Sequence, residues 1–250
     1  LIVGQHSSNP YMIPTLEGYP VRTLWSYKFA GLNEEGLPMV INEKGKKTIG
    51  DVNIQETKNL EDFLVYEGPQ DPTWYGSLSN TFTYTNQKLG KLSFDVFITY
   101  SGGNVVRLDP VFSSSYSDLS SLPKEFKNRW MQAGDEKFTN VPVIASVNQR
   151  DIYGSTTLAT AYNVYNYSTE RVAKGDFVRL KELALTYTFP QGLLKKTKLV
   201  NTASIKLSAT NLCLLYADKK LNGQDPEFIN SGGVATPISK QFTATVRLEF

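Results

Sequence analysis

At 250 residues, with a formal net charge of +2 and a pI near 8.4, the chain has room for one large β domain or two ordinary ones and no electrostatic basis for holding nucleic acid. A single cysteine, Cys213, and a single histidine, His6, leave no material for an internal disulfide, a Cys-based or multi-His metal site, or a His-centred catalytic triad. No apolar run approaches the roughly 18 residues of a membrane helix, and no signal-peptide pattern opens the chain; its first residue is Leu1 rather than Met, so it reads as processed or as an excerpt of something longer.

The residues in quantity are 14 Tyr, 13 Phe and 18 Gly, with abundant Ser and Thr. Such a composition argues for an all-β fold. A mean hydropathy of −0.29 suits a soluble protein. It suits a membrane β-barrel equally, because lumen-facing residues and loops dilute the lipid face.

In chain order, "LIVGQHSSNPYMIPTLEGYP" (1–20) reads as the tail of a preceding strand and its turn. "VRTLWSYKFAG" (21–31) then places Trp25, Tyr27 and Phe29 on one side. "WYGSLSNTFTYTN" (74–86) sets Trp74, Leu78, Phe82 and Tyr84 against Ser77, Ser79, Thr81 and Thr83. "LSFDVFITY" (92–100) sets Leu92, Phe94, Val96, Ile98 and Tyr100 against Ser93, Asp95 and Thr99, with Phe97 as the exception. "FVRLKELALTYTFP" (177–190) carries Leu183, Leu185, Tyr187 and Phe189 opposite Glu182, Ala184, Thr186 and Thr188. "TASIKLSATNLCLL" (202–215) carries Ala203, Ile205, Leu207 and Ala209 opposite Ser204, Lys206, Ser208 and Thr210. The last ten residues, "QFTATVRLEF", alternate to the end: Phe242, Ala244, Val246, Leu248 and Phe250 against Thr243, Thr245, Arg247 and Glu249.

These make about six expected strands of roughly 10–14 residues, against about 5–6 in soluble domains. Their connections alternate. Short turns are expected near 87–91 and 191–201, long links at about 32–71, 102–176 and 216–239. An up-and-down outer-membrane barrel sorts its connections in this way, with turns on the periplasmic side and long loops outside. Aromatics gather near strand ends (Trp25, Trp74, Tyr84, Tyr100, Tyr187, Phe189, Tyr216 and Phe250), as in the interfacial girdles of a barrel. The same residues would also serve as the core of a soluble β-sandwich used for glycan binding or adhesion, which is the alternative. Six strands cannot close a barrel with a useful lumen. The barrel reading therefore makes the chain a segment, or one part of an oligomer.

Catalytic and metal motifs are absent. "GLNEEGLP" (31–38) and Asp51 do not match a calcium-loop spacing and read as solvated loop. The adjacent pairs Glu34–Glu35 and Asp135–Glu136 are not a glycosidase pair, and "YSGGNVV" (100–106) lacks the strand-to-helix context of a phosphate loop. The lysines at 195, 196 and 198 read as a solvated turn. No enzyme activity, cofactor or metal is expected.

"DFVRLKELALTYTFPQGLLKK" (176–196), "ASIKLSATNL" (203–212), "GQDPE" (223–227), the glycines at 232 and 233 and the terminal strand together resemble the C-terminal end of SusC/RagA-type TonB-dependent outer-membrane transporters of Bacteroidota. "GYPVRTLWSYKFAGLNEEGLP" (18–38), "YEGPQDPTWYGSLSNTFTY" (66–84) and "FKNRWMQAGDEKFTNVP" (126–142) follow that family's order, so the similarity covers nearly the whole chain. The resemblance implies that residues 1–250 are the C-terminal portion of an antiparallel transmembrane β-barrel, the last six or so of about 22 strands. The plug, the TonB-contact segment and the earlier strands would lie elsewhere. It also implies import of oligosaccharides or peptides across the outer membrane. The expected partners are a SusD-like surface lipoprotein acting as a lid, TonB–ExbB–ExbD, outer-membrane lipid and the barrel-assembly machinery.

On this expectation Arg129 and Trp130 of the 102–176 link contact ligand or lid, unless Trp130 simply packs its loop down. Tyr216, Asp225 and Phe228 of the 216–239 link are placed similarly. Asp95, Lys206, Arg247 and Glu249 face the lumen. The terminal strand pairs with 203–215, and Phe250 resembles the C-terminal signal that the assembly machinery reads. Deleting Phe250 is expected to lower the amount of protein assembled in the outer membrane. Normal surface labelling of the deletion variant would count against that role.

Overall fold

The computed structural model describes residues 17–53, 64–111, 122–195, 199–229 and 238–250. His6, the lysines at 196 and 198 and the glycines at 232 and 233 lie outside those residues. The strands in chain order are β1 (Thr23–Tyr27), β2 (Phe29–Leu32), β3 (Pro38–Ile41), β4 (Lys47–Thr48), β5 (Leu64–Pro69), β6 (Trp74–Asn86) and β7 (Gly90–Gly102). After them come β8 (Val105–Arg107), β9 (Val172–Lys174), β10 (Phe177–Thr188), β11 (Thr202–Ala217) and β12 (Gln241–Glu249). The helices are α1 (Val147–Tyr153), α2 (Ser155–Asn166) and the single turn α3 (Gln191–Leu194). None among the described residues is long and apolar enough to cross a membrane.

The chain forms two compact units. One takes in residues up to Asp71, Gly103–Lys174 and Lys219–Gly223; the other takes in Pro72–Gly102, Gly175–Asp218 and Gln224–Phe250.

The first unit is built from short pieces: the pairs β1–β5 and β8–β9, the sheet β2–β3–β4, and α1 and α2. It has its own core. Trp25, Tyr27, Val40, Leu64 and Val164 form one buried cluster, and Leu37, Val111, Ala145, Leu158, Tyr162 and Tyr165 form another. Two expectations are corrected here. Residues 21–31 are not a long alternating strand. They break into β1 and β2, because Trp25, Ser26 and Tyr27 are all buried and the chain changes partners from β5 to β3. The links at 32–71 and 102–176 likewise contribute to a folded unit with helices, which qualifies the all-β reading.

The helices had signals in the sequence. Ser146 accepts from the Gln149 backbone N–H and Gln149 answers at the Ser146 N–H, a capping box spelled S-x-x-Q. Leu158, Ala161, Tyr162 and Tyr165 recur at helical spacing, and all four are buried.

The second unit is one antiparallel sheet in the order β6–β7–β10–β11–β12, with strands of 13, 13, 12, 16 and 9 residues. The two short turns, β6–β7 and β10–β11, fall at the same end. In the first of them Asn86 Oδ1 accepts from the Lys88 and Leu89 N–H groups, and Gly90 follows at φ +89°. Directly paired residues share a face of an antiparallel sheet, so register assigns the faces. Phe82, Phe94, Leu185, Leu207 and Ala244 form one transverse row, and Tyr84, Leu92, Tyr187, Ile205 and Val246 another. A central row runs Asn80, Val96, Leu183, Ala209 and Phe242, in which Asn80 is the polar exception. The opposite face carries the rows Thr81, Asp95, Ala184, Ser208, Thr243 and Thr83, Ser93, Thr186, Lys206, Thr245.

A bulge keeps the two faces distinct. Strand β10 changes phase, with apolar residues at 178 and 180 and then at 183, 185 and 187. Lys181 is left without a partner on β7, between the pairs Leu180–Ile98 and Glu182–Phe97. On β11 the residues opposite it are Asn211, at φ 54°, and Leu212. This extra residue restores Val178 and Leu180 to the apolar face and sends Arg179 to the polar one. At the loop end of the apolar face, Trp74 and Tyr100 lie over their glycine partners, Gly102 and Gly76.

The apolar face is exposed: Phe82 is 63% and Val246 65% accessible. These residues do not meet in a closed core between two sheets, as the sandwich alternative requires. The sheet itself is open, with β6 and β12 at its edges.

In the first unit Glu67 is the extra residue of a β5 bulge opposite Leu24 and Trp25. Burial raises its carboxyl above the ordinary carboxylate range, against the lowering effects of Ser26, Arg107 and Lys220. The folded protein therefore holds this proton more tightly than the unfolded chain, and the group costs stability as pH rises from the ordinary carboxylate range through the raised value. In thermal unfolding of the intact protein between about pH 4 and about pH 8, Glu67→Gln is expected to gain on the wild type as pH rises. A gap that stays constant across that range would refute it.

Candidate functional site

The polar face of the second unit gathers the charged and hydroxyl side chains. Asp95 accepts from Thr81 Oγ1 at 2.6 Å, and Thr83 and Ser93 hydroxyls meet at 3.3 Å. Lys206 Nζ lies 3.3 Å from Glu182, and Arg247 lies 2.8 Å from Glu249. All four residues expected on the polar face, Asp95, Lys206, Arg247 and Glu249, are on it by register. Phe97 shares that face, between Ser79 and Glu182.

The strongest electrostatic feature sits where the bulge has turned Arg179 inward. Its Nη2 donates to both Asp225 carboxylate oxygens, at 2.6 and 2.5 Å, and lies 2.7 Å from Glu227 Oε2. Arg179 and Asp225 are both buried, Asp225 to 5% exposure. Asp225 also accepts the Glu227 backbone N–H, and its own carbonyl accepts that of Phe228. One arginine thus ties the Asp225–Pro226–Glu227 segment to the loop end of β10. A buried charge is tolerable only when paired and hydrogen-bonded in this way.

The expected contact residues are dispersed. Asp225 is turned inward against Arg179, with Phe228 half-buried beside it in the chain. Tyr216 belongs to β11, where its pairing with Val178 puts it on the apolar face. In the first unit the Arg129 guanidinium stacks on the Phe126 ring at 4.6 Å. Trp130 packs against Gly36, where a side chain would collide with the indole, and its Nε1–H donates to Glu136 at 3.2 Å. That Trp130 packs its own loop was the plainer of the two sequence readings. Phe250 is exposed at the end of β12. Among the described residues no group of three or more His, Cys, Asp or Glu is placed to hold a metal ion.

Sequence reasoning missed Arg179 and Glu227. The phase break in "FVRLKELAL" and the two carboxylates of "QDPE" were the available signals, but only pairing joins segments 46 residues apart. Removing one partner of a buried ion pair costs about 3–5 kcal/mol, whereas apolar replacement of both costs far less. Arg179→Met is therefore expected to destabilise the protein by about that amount and to speed amide exchange at 225–229. Arg179→Met combined with Asp225→Leu and Glu227→Gln should recover most of the stability. Unfolding of the single and combined variants in denaturant decides the point, and equal stability of wild type and Arg179→Met would refute it.

No protein-family model matches the chain. In sequence, 190 residues (75% of the chain) are 25% identical to TonB-dependent receptor P39 of Formosa agariphila, covering 16% of that protein. In fold, the chain matches the RagAB peptide importer in its open-open state with a TM-score of 0.62 at 23% identity, over 93% of this chain and 23% of that one. It matches the closed-closed state with a TM-score of 0.60 at 24% identity, over 93% and 23%. The chain thus spans less than a quarter of the length of each of these proteins. In sequence it resembles a TonB-dependent receptor, and in fold the RagAB peptide importer.

Proposed function

We propose that the chain is the C-terminal barrel portion of a SusC/RagA-type TonB-dependent transporter in a bacterial outer membrane, a transport protein rather than an enzyme. The observation that carries this reading is the two-faced sheet, apolar and exposed on one side and hydroxyl-rich and charged on the other. Trp74 and Tyr84 bound the apolar face on β6 and are ten residues apart. At about 3.3 Å per residue and a tilt of about 40°, that distance spans a height of about 25 Å, the usual apolar band of a membrane barrel. Open edges at β6 and β12 are costly alone and are satisfied by further strands of a closed barrel.

In this reading Asp95, Lys206, Arg247 and Glu249 face the lumen. The substrate is an oligosaccharide or a peptide, and the name of the RagAB peptide importer supports the peptide choice. A SusD-like lipoprotein closes the outer face, TonB–ExbB–ExbD supplies the energy, and the barrel-assembly machinery inserts the protein.

Deletion of the gene is expected to abolish growth on one class of nutrient, peptides or oligosaccharides, with recovery on complementation. Growth unchanged on both, with the protein absent from the outer-membrane fraction of the wild type, would overturn the reading. Within the barrel, Leu183→Arg at the centre of the apolar face is expected to cost about 2–4 kcal/mol and reduce assembly. Thr186→Arg on the polar face should assemble normally.

A further inference from the structure

The segment Met131–Asn140 of the first unit is held with unusual thoroughness for a loop. Its base is closed by Trp130 N–H donating to the Val141 carbonyl at 2.9 Å and Thr139 Oγ1 donating to the Asn128 carbonyl at 2.5 Å. Inside it, Asp135 Oδ2 accepts the Met131 and Gln132 N–H groups at 3.0 and 3.1 Å. Glu136 Oε2 accepts the Gly134 N–H at 2.8 Å and the Trp130 indole N–H. Glu136's own backbone amide, then the Trp130 indole and the Gly134 amide, hold its carboxyl below the usual carboxylate range.

Both carboxylates are thus engaged by the loop's own backbone and by Trp130, which packs on Gly36. The exposed side chains include apolar and basic ones, beside the neutral Gln132, Ala133 and Asn140. Phe138 is 89% exposed and Met131 63%. Lys137 precedes Phe138, and exposed Lys127 precedes Asn128, which is bonded to Thr139.

We propose that this loop is a protein-docking element: Phe138 is the anchor, seated in an apolar pocket of a partner whose rim carries carboxylates facing Lys127 and Lys137. A ring held out on a rigid loop loses little freedom when it binds, which favours a shaped protein pocket. A lipid surface has no such shape to match and places no premium on rigidity. The identity of the partner as the lid lipoprotein rests on the function proposed above. The anchor is assigned to Phe138 rather than to Arg129, which stacks on Phe126, or Trp130, which packs on Gly36 and donates to Glu136.

The test uses the full-length receptor and the SusD-like surface lipoprotein of the proposed complex. Phe138→Ala is expected to raise the Kd at least about thirtyfold, the mark of a hot-spot residue. Phe138→Trp should stay within about threefold, and Lys127→Glu with Lys137→Glu should weaken binding and flatten its salt dependence. A photoreactive benzoylphenylalanine at position 138 should cross-link to the lipoprotein in intact cells. Unchanged affinity of Phe138→Ala overturns this proposal and leaves the lipoprotein partnership standing. A cross-link to lipid, or only to the receptor itself, overturns it as well. No binding of lipoprotein to the unaltered receptor removes the partner from the proposed function, and this docking role with it.

Discussion

The second unit depends on one constraint: residues paired across antiparallel strands share a face, so every strand must keep the same parity or correct it. Four of the five long strands present their apolar residues on one face through their central rows. Strand β10 changes phase at Lys181, and the bulge there, opposed by Asn211 and Leu212 on β11, absorbs the change. One extra residue decides whether Val178 and Leu180 join Leu183 and Leu185 or oppose them. It also decides on which side a buried arginine lies.

The Arg179 cluster follows from that choice. On the polar face at the loop end, Arg179 meets two carboxylates of a segment that the chain reaches only after crossing β11. The geometry is the kind that makes a charge tolerable in a protein interior: short, hydrogen-bonded contacts to more than one acid. Elsewhere on the same face the charges are more open: Lys206–Glu182 is a half-buried pair and Arg247–Glu249 an exposed one of small energetic weight. The cluster therefore fixes a connection, while the remaining charges set the character of a surface.

The first unit solves a different problem. Long connections between sheet strands would leave much backbone unsatisfied unless they fold, and these do, around the aromatic clusters of Trp25 and Tyr165. Arg107 ties two other segments to its own there: it donates to the Trp25 carbonyl and Ser26 Oγ of β1 and to the Ser168 carbonyl. Arg171 pairs with Glu125 at 2.6 Å in the same unit. Within such a frame a loop can be held rigid while Phe138 stays in solvent.

The long alternating segments 74–86, 92–100, 177–190, 203–215 and 241–250 were legible from sequence, because period-two patterning is a local property of the chain. So were the short turns, the separation of polar from apolar residues, and the placement of Asp95, Lys206, Arg247 and Glu249 on the polar side. Residues 21–31 alternate just as well, yet become two short buried strands; alternation records which side chains differ and says nothing about what covers them. The helix at 155–166 carried its own spacing, and the helix at 147–153 before it a capping box, so both were legible in principle. The bulge partners and the Arg179–Asp225–Glu227 cluster were decided only in three dimensions. Each joins residues whose separation along the chain carries no periodic signal, and each depends on which strands lie side by side.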